Sequence, residues 1–146
     1  VPFITPTDLN IASTSPDNYL ALLAVILNQS SNVKEYELNV FTRTVVNEQT
    51  SGTPALAADA EIYQRIAAAL LAMEVPDALA SRHLEAVKSV GALSKVVGNM
   101  GTWKGDSIEA MVDLDTFNKT EAYMTNSITD LVASAKQLAK SSATKS

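Results

Sequence analysis

Between Val75 and Met100 the apolar residues Leu79, Ala86, Val90, Leu93, Val97 and Met100 recur at steps of three and four, and His83 fills the one remaining position of that seam. Such spacing turns a narrow apolar stripe toward antiparallel neighbours, so the stretch predicts the central helix of a bundle. Its start is signalled by Val75-Pro76-Asp77. Three more segments carry the same period.

The first opens at Ser15-Pro16-Asp17, a capping serine followed by proline at the first helical position and an acid against the helix dipole. Its seam is Tyr19, Leu23, Ile26, Ser30, Val33, Glu37, Val40 and Thr44. The tract Gln29-Ser30-Ser31-Asn32 interrupts it with side chains that compete for backbone hydrogen bonds. Either one rod runs from 16 to about 49, or the helix breaks near 30 and restarts with Asn32 and Glu35 as a second capping pair. The unbroken phase of the seam favours the rod.

The turn Thr50-Ser51-Gly52-Thr53-Pro54 leads to a second helix ending near Glu74, with Leu56, Ile62, Tyr63, Ile66, Leu70 and Met73 inward. A single corner at Val75-Pro76 joins it to the central helix as an antiparallel hairpin. The glycine-rich stretch Gly98 to Gly105 ends that helix. Asp106, with Glu109 as capping-box partner, starts a last helix with its seam at Leu114, Phe117, Glu121, Met124, Ile128, Leu131, Ala135 and Leu138. The expected fold is therefore all-α: an antiparallel up-down-up-down four-helix bundle over residues 16–140. Residues 1–15, rich in Pro, Ser and Thr, form an extended leader. It leads out as a stalk, packs on the domain through Phe3, Ile4, Leu9 and Ile11, or does both. Residues 141–146 have nothing to bury and are expected to be disordered.

Composition narrows the function. A formal net charge of −5 and the lack of a dense Lys/Arg cluster argue against nucleic acid as a partner. The absence of cysteine removes disulfides, thiol nucleophiles and thiolate metal sites, and does not fix the compartment. The longest apolar run, Tyr19 to Leu27, is nine residues, and a membrane span takes about twenty. A chain opening at Val1 with a Pro/Ser/Thr leader raises the expectation of an extracytoplasmic domain, periplasmic, cell-surface or secreted, with a signal or anchor upstream. A cytoplasmic location is the alternative.

No phosphate-binding glycine loop, nucleophile elbow or His-Glu-x-x-His pair occurs. The Glu-x-x-His motif of di-iron bundles is absent, because Ala80 stands three residues before His83. No catalytic residue, cofactor or metal is expected. The sequons at Asn28 and Asn118 fall on expected helices and carry no weight.

Three polar residues break the apolar seams: Glu37, His83 and Glu121. Counting from the turns at 52, 75 and 103 places them at one level of the bundle, to within about one helical turn. The expected outcome is a buried layer in which His83 pairs with one or both carboxylates. Such pairing raises the histidine pKa and lowers those of the acids. Trp103, in a glycine-rich loop, either plugs the bundle end or offers an exposed anchor to a partner. A rod-like first helix would also leave Leu20 to Leu27 overhanging the corner, to be covered by the leader or by self-association. The expected function is a non-enzymatic cell-envelope domain acting through protein–protein contact. Its alternative is a metal- or small-ligand-binding bundle that uses the Glu37, His83 and Glu121 layer.

Overall fold

The computed structural model describes residues 4–50 and 53–144. Five α-helices follow in order: α1 (Pro16–Leu27), α2 (Glu37–Val46), α3 (Pro54–Ala72), α4 (Ala80–Gly101) and α5 (Ser107–Thr144). The α1–α2 pair is one bundle helix in two pieces, so the architecture is the expected all-α four-helix bundle. No described helix is long and apolar enough to cross a membrane.

Helix α4 is the centre. All seven of its seam residues, His83 included, are buried, and Leu84, Val87, Ser89 and Val96 bury a second face. It packs against α3 on one side and α5 on the other. Two short connections make these neighbours antiparallel. The first, residues 73–79, holds a two-residue strand β2 (Glu74–Val75), Pro76 and a 3₁₀ turn. The second, 102–106, is closed by the Asp106 cap, whose Oδ1 accepts from the amides of Ile108 (2.8 Å) and Glu109 (3.2 Å). Gly105 adopts φ +105° there, a conformation that favours glycine. Gly101 serves a different purpose. A Cβ on it would lie 3.1 Å from the Ala57 amide nitrogen, so its bareness lets α4 approach α3 closely.

The first helix breaks rather than running as a rod. Ser30 Oγ donates to the Leu27 carbonyl (2.9 Å) and Ser31 Oγ to the Asn28 carbonyl (2.8 Å), and residues Asn28–Asn32 tighten to 3₁₀ geometry. Val33 is extended, and α2 restarts with Tyr36 at its cap position, not with the expected Asn32–Glu35 pair. Glu35 instead forms a two-pronged ion pair with Arg43 on the next turns. Both side chains are about half exposed, so the pair contributes little. In α1, Tyr19, Leu23 and Ile26 are buried, while Leu22 and Val25 face outward.

The leader lies on the domain. Residues Asn10–Ile11 form β1, which pairs in parallel with β2 at the α3–α4 corner, and the Ala12 amide donates to the Val75 carbonyl (3.0 Å). Leu9 is buried and Ile4 packs on the core, whereas Ile11 is largely exposed. Phe3, Ser51 and Gly52 lie outside the described residues. At the other end α5 continues as helix through Thr144, four residues into the stretch expected to be disordered.

Candidate functional site

The seam histidine ties three helices together, but not through acids. His83 is fully buried. Its Nε2 lies 2.6 Å from the carbonyl of Leu70 in the last turn of α3, and its Nδ1 lies 2.6 Å from the Tyr19 hydroxyl on α1. A carbonyl can only accept, so Nε2 carries the proton and Nδ1 accepts from Tyr19. Burial pushes the His83 pKa down, with the Leu70 hydrogen bond opposing it. Burial also pushes the Tyr19 hydroxyl up, which keeps it a donor. The expected raised histidine pKa is thus corrected: no carboxylate reaches the ring, and the imidazole is neutral.

The reason is a displacement of level. The α3–α4 connection spans residues 73–79 and centres on Pro76, not on Val75, and His83 bonds to Leu70 of α3 whereas Glu37 bonds to Tyr63 of the same helix. Those two positions are seven residues apart along α3, a distance of about 10 Å.

The other two seam acids do share a level. Glu37 and Glu121 both line a cavity of about 460 Å³ beneath the α1–α2 break. Ser30, Val33, Lys34, Glu35 and Tyr36 of the broken segment form its rim, and Ile66, Val90, Met124 and Ile128 form an apolar wall. Glu37 is 3% exposed, and the buried Tyr63 hydroxyl donates to its Oε1. The Tyr36 hydroxyl donates to Glu121 Oε1 (2.9 Å), and its ring meets Phe117 edge-on at 5.9 Å.

Carboxylate charge dominates this region. Burial, then the hydrogen bond to Glu37, then the charges of Glu37, Asp59 and Glu121 push the Tyr63 hydroxyl up. Burial and Glu121, with a further contribution from Glu37, push Tyr36 up to about 12. Asp59, buried on the next turn of α3, is pushed up to about 6 by burial and by the Glu37 charge. Both tyrosines remain donors at neutral pH.

Among the described residues no group of three His, Asp or Glu side chains is placed to hold a metal ion. The Glu37, His83 and Glu121 metal layer is therefore not assembled. Trp103 does not offer an anchor to a partner either. It is 3% exposed, its indole Nε1–H donates to the Asp106 carbonyl (2.7 Å), and its ring meets Phe41 edge-on at 6.3 Å. It plugs the bundle end between the α4–α5 connection and α2.

The residues that sequence reasoning did not single out are Tyr19, Tyr36, Tyr63 and Asp59. Tyr19 and Tyr63 occupy seam positions, and a buried tyrosine hydroxyl needs a partner, so a histidine and a glutamate on facing seams were the available signal. Asp59 carried no such signal. No protein-family model, curated protein or solved structure matches this chain.

Asp59 yields a stability prediction. Its folded pKa of about 6 lies above the value of about 3.9 in an unfolded chain, so the folded state binds the proton more tightly. Stability from this group is lost as pH rises through that window and stays lost above it. Asp59→Asn should therefore be more stable than wild type at pH 7.5 by roughly 1–3 kcal/mol, the gain vanishing near pH 4. Urea unfolding at the two pH values reads this, and a variant less stable at pH 7.5 contradicts it.

Proposed function

We propose that this protein is a non-enzymatic binding protein that takes a small amphipathic molecule into the cavity beneath the α1–α2 break. One observation carries the reading: two carboxylates bonded to two tyrosine hydroxyls line the same chamber of about 460 Å³ as the apolar Ile66, Val90, Met124 and Ile128. That volume and that mixture of lining suit a small-molecule site. The chamber exists because the first helix breaks, and a continuous rod would close its mouth with side chains.

The non-enzymatic part of the proposal is supported by the residues at hand. The sequence has no cysteine and one histidine, and both nitrogens of that histidine are committed to Tyr19 and Leu70. An extracytoplasmic location stays within the proposal on one sequence feature alone, the Pro/Ser/Thr-rich residues 1–15.

A second reading, contact with another protein, is supported by a different face. Ile108, Met111 and Val112 lie one helical turn apart at the start of α5, each more than half exposed.

Thermal unfolding with a set of small amphiphiles, on wild type and on Ile66→Trp, tests the first reading. A compound at a hundred times its Kd should stabilise the wild type by about 2.7 kcal/mol. The cavity-filling variant should lose that response. Absence of any response, or an unchanged one in Ile66→Trp, overturns the cavity site. Light scattering tests the second reading: self-association that Met111→Asp abolishes supports it, and a wild-type monomer at high concentration counts against association through this face.

A further inference from the structure

We infer that the ligand is an organic cation, a protonated amine on an apolar body, and that the Glu37 carboxylate is the group that receives the ammonium. This rests on the cavity being a binding site, as proposed above.

Glu37 is a buried acid without a basic partner. Tyr63 occupies Oε1. Among the described residues nothing donates to Oε2, and no Lys, Arg or His nitrogen lies within 4.0 Å of either oxygen. Yet Oε2 is not sealed off, because the side chain lines the cavity and is not among the fully enclosed atoms that lack partners. A buried carboxylate is costly unless it is hydrogen-bonded and charge-compensated. An ammonium in the cavity meets both needs, with three N–H donors and the opposite charge.

The rest of the lining selects the same chemistry. Its charged residues are Glu35, Glu37, Glu121 and Lys34, three acids against one base. Arg43, an exposed base on α2, is paired with Glu35. Tyr36 holds Glu121 through Oε1 alone, so the second oxygen of that acid gives an ammonium another acceptor. A metal ion is disfavoured by the same geometry, since calcium or magnesium wants several oxygen ligands or retained waters and the opposite wall is Ile66, Val90, Met124 and Ile128. That wall is suited to hydrocarbon. An anionic amphiphile would have only Lys34 to meet it and would face the buried Glu37 charge.

Matched probes of one shape test this on the full chain: octylamine, octanol and octanoate, by calorimetric titration with the methyl resonance of Met124 as the locator. Octylamine should bind at least about tenfold more tightly than octanol. Octanoate should bind most weakly. Glu37→Gln, which keeps an acceptor for Tyr63, should bring octylamine down to the octanol level and leave octanol unchanged. If octylamine and octanol bind alike and both are lost in Ile66→Trp, the cation inference falls while the cavity site stands. If octanoate binds best, Lys34 is the anchor and the inference falls. If none of the three moves the Met124 resonance, the binding reading falls with it. Should Glu37→Gln fail to fold, the ratio of octylamine to octanol on wild type decides alone.

Discussion

The register of the bundle depends on one buried relay: the Tyr19 hydroxyl to His83 Nδ1, and His83 Nε2–H to the carbonyl of Leu70. The Leu70 carbonyl, in the last turn of α3, already accepts from the Met73 amide (3.2 Å), and His83 adds a second donor to it from α4 while its other nitrogen holds α1. Each link is worth about 1 kcal/mol net, but removing one partner strands a buried polar group at a cost of roughly 1–3 kcal/mol. A slip of α4 by one turn would break both links, and a slip of α1 or α3 would break one. The relay therefore fixes which residues of α1, α3 and α4 stand opposite one another, and with them the level at which the cavity forms.

Two turns along α4 from that relay the bundle opens. The hydroxyls of Ser30 and Ser31 turn back onto carbonyls one turn earlier, in a stretch that has tightened to 3₁₀ geometry and leaves the helix at Val33. The resulting step between α1 and α2 leaves Ile66, Val90, Met124 and Ile128 without a neighbour to fill the space above them. Glu37, at the start of α2, is held over that space by Tyr63. The polar break, the apolar wall and the buried acid are thus three consequences of one interruption. Together they support a site in which local helix stability is given up for a chamber.

Much of this was legible in the sequence, and the failures have physical causes. The seam residues of the central helix, from Leu79 to Met100, are all buried, because a stripe three to four residues apart on a helix has only one way to leave water. Ser30 is the one seam position of the first helix that faces outward, and it marks the break that unbroken phase argued against. Phase reports which side of a helix a residue takes, and it carries no information on whether the backbone between two turns stays helical. His83 was placed too close to Glu37 because both ends of α3 depart from the counted turns: the corner after it consumes seven residues, including a strand pair made with the distant Asn10 and Ile11, and Glu37 meets Tyr63 nearer the start of the helix. A long-range pairing of two residues has no period to read. Glu37 and Glu121 line the same cavity, on the far side of that displacement from His83.

The central claim is that His83 is a neutral pin and not a ligand or half of an ion pair. Long-range proton–nitrogen correlation spectra of the His83 ring, recorded from pH 7.5 downward, test it most directly. The account predicts the single tautomer with Nε2 protonated and Nδ1 bare, persisting to below the ordinary histidine value of about 6.5. An imidazolium pattern at or above that value, or a proton on Nδ1, would contradict it.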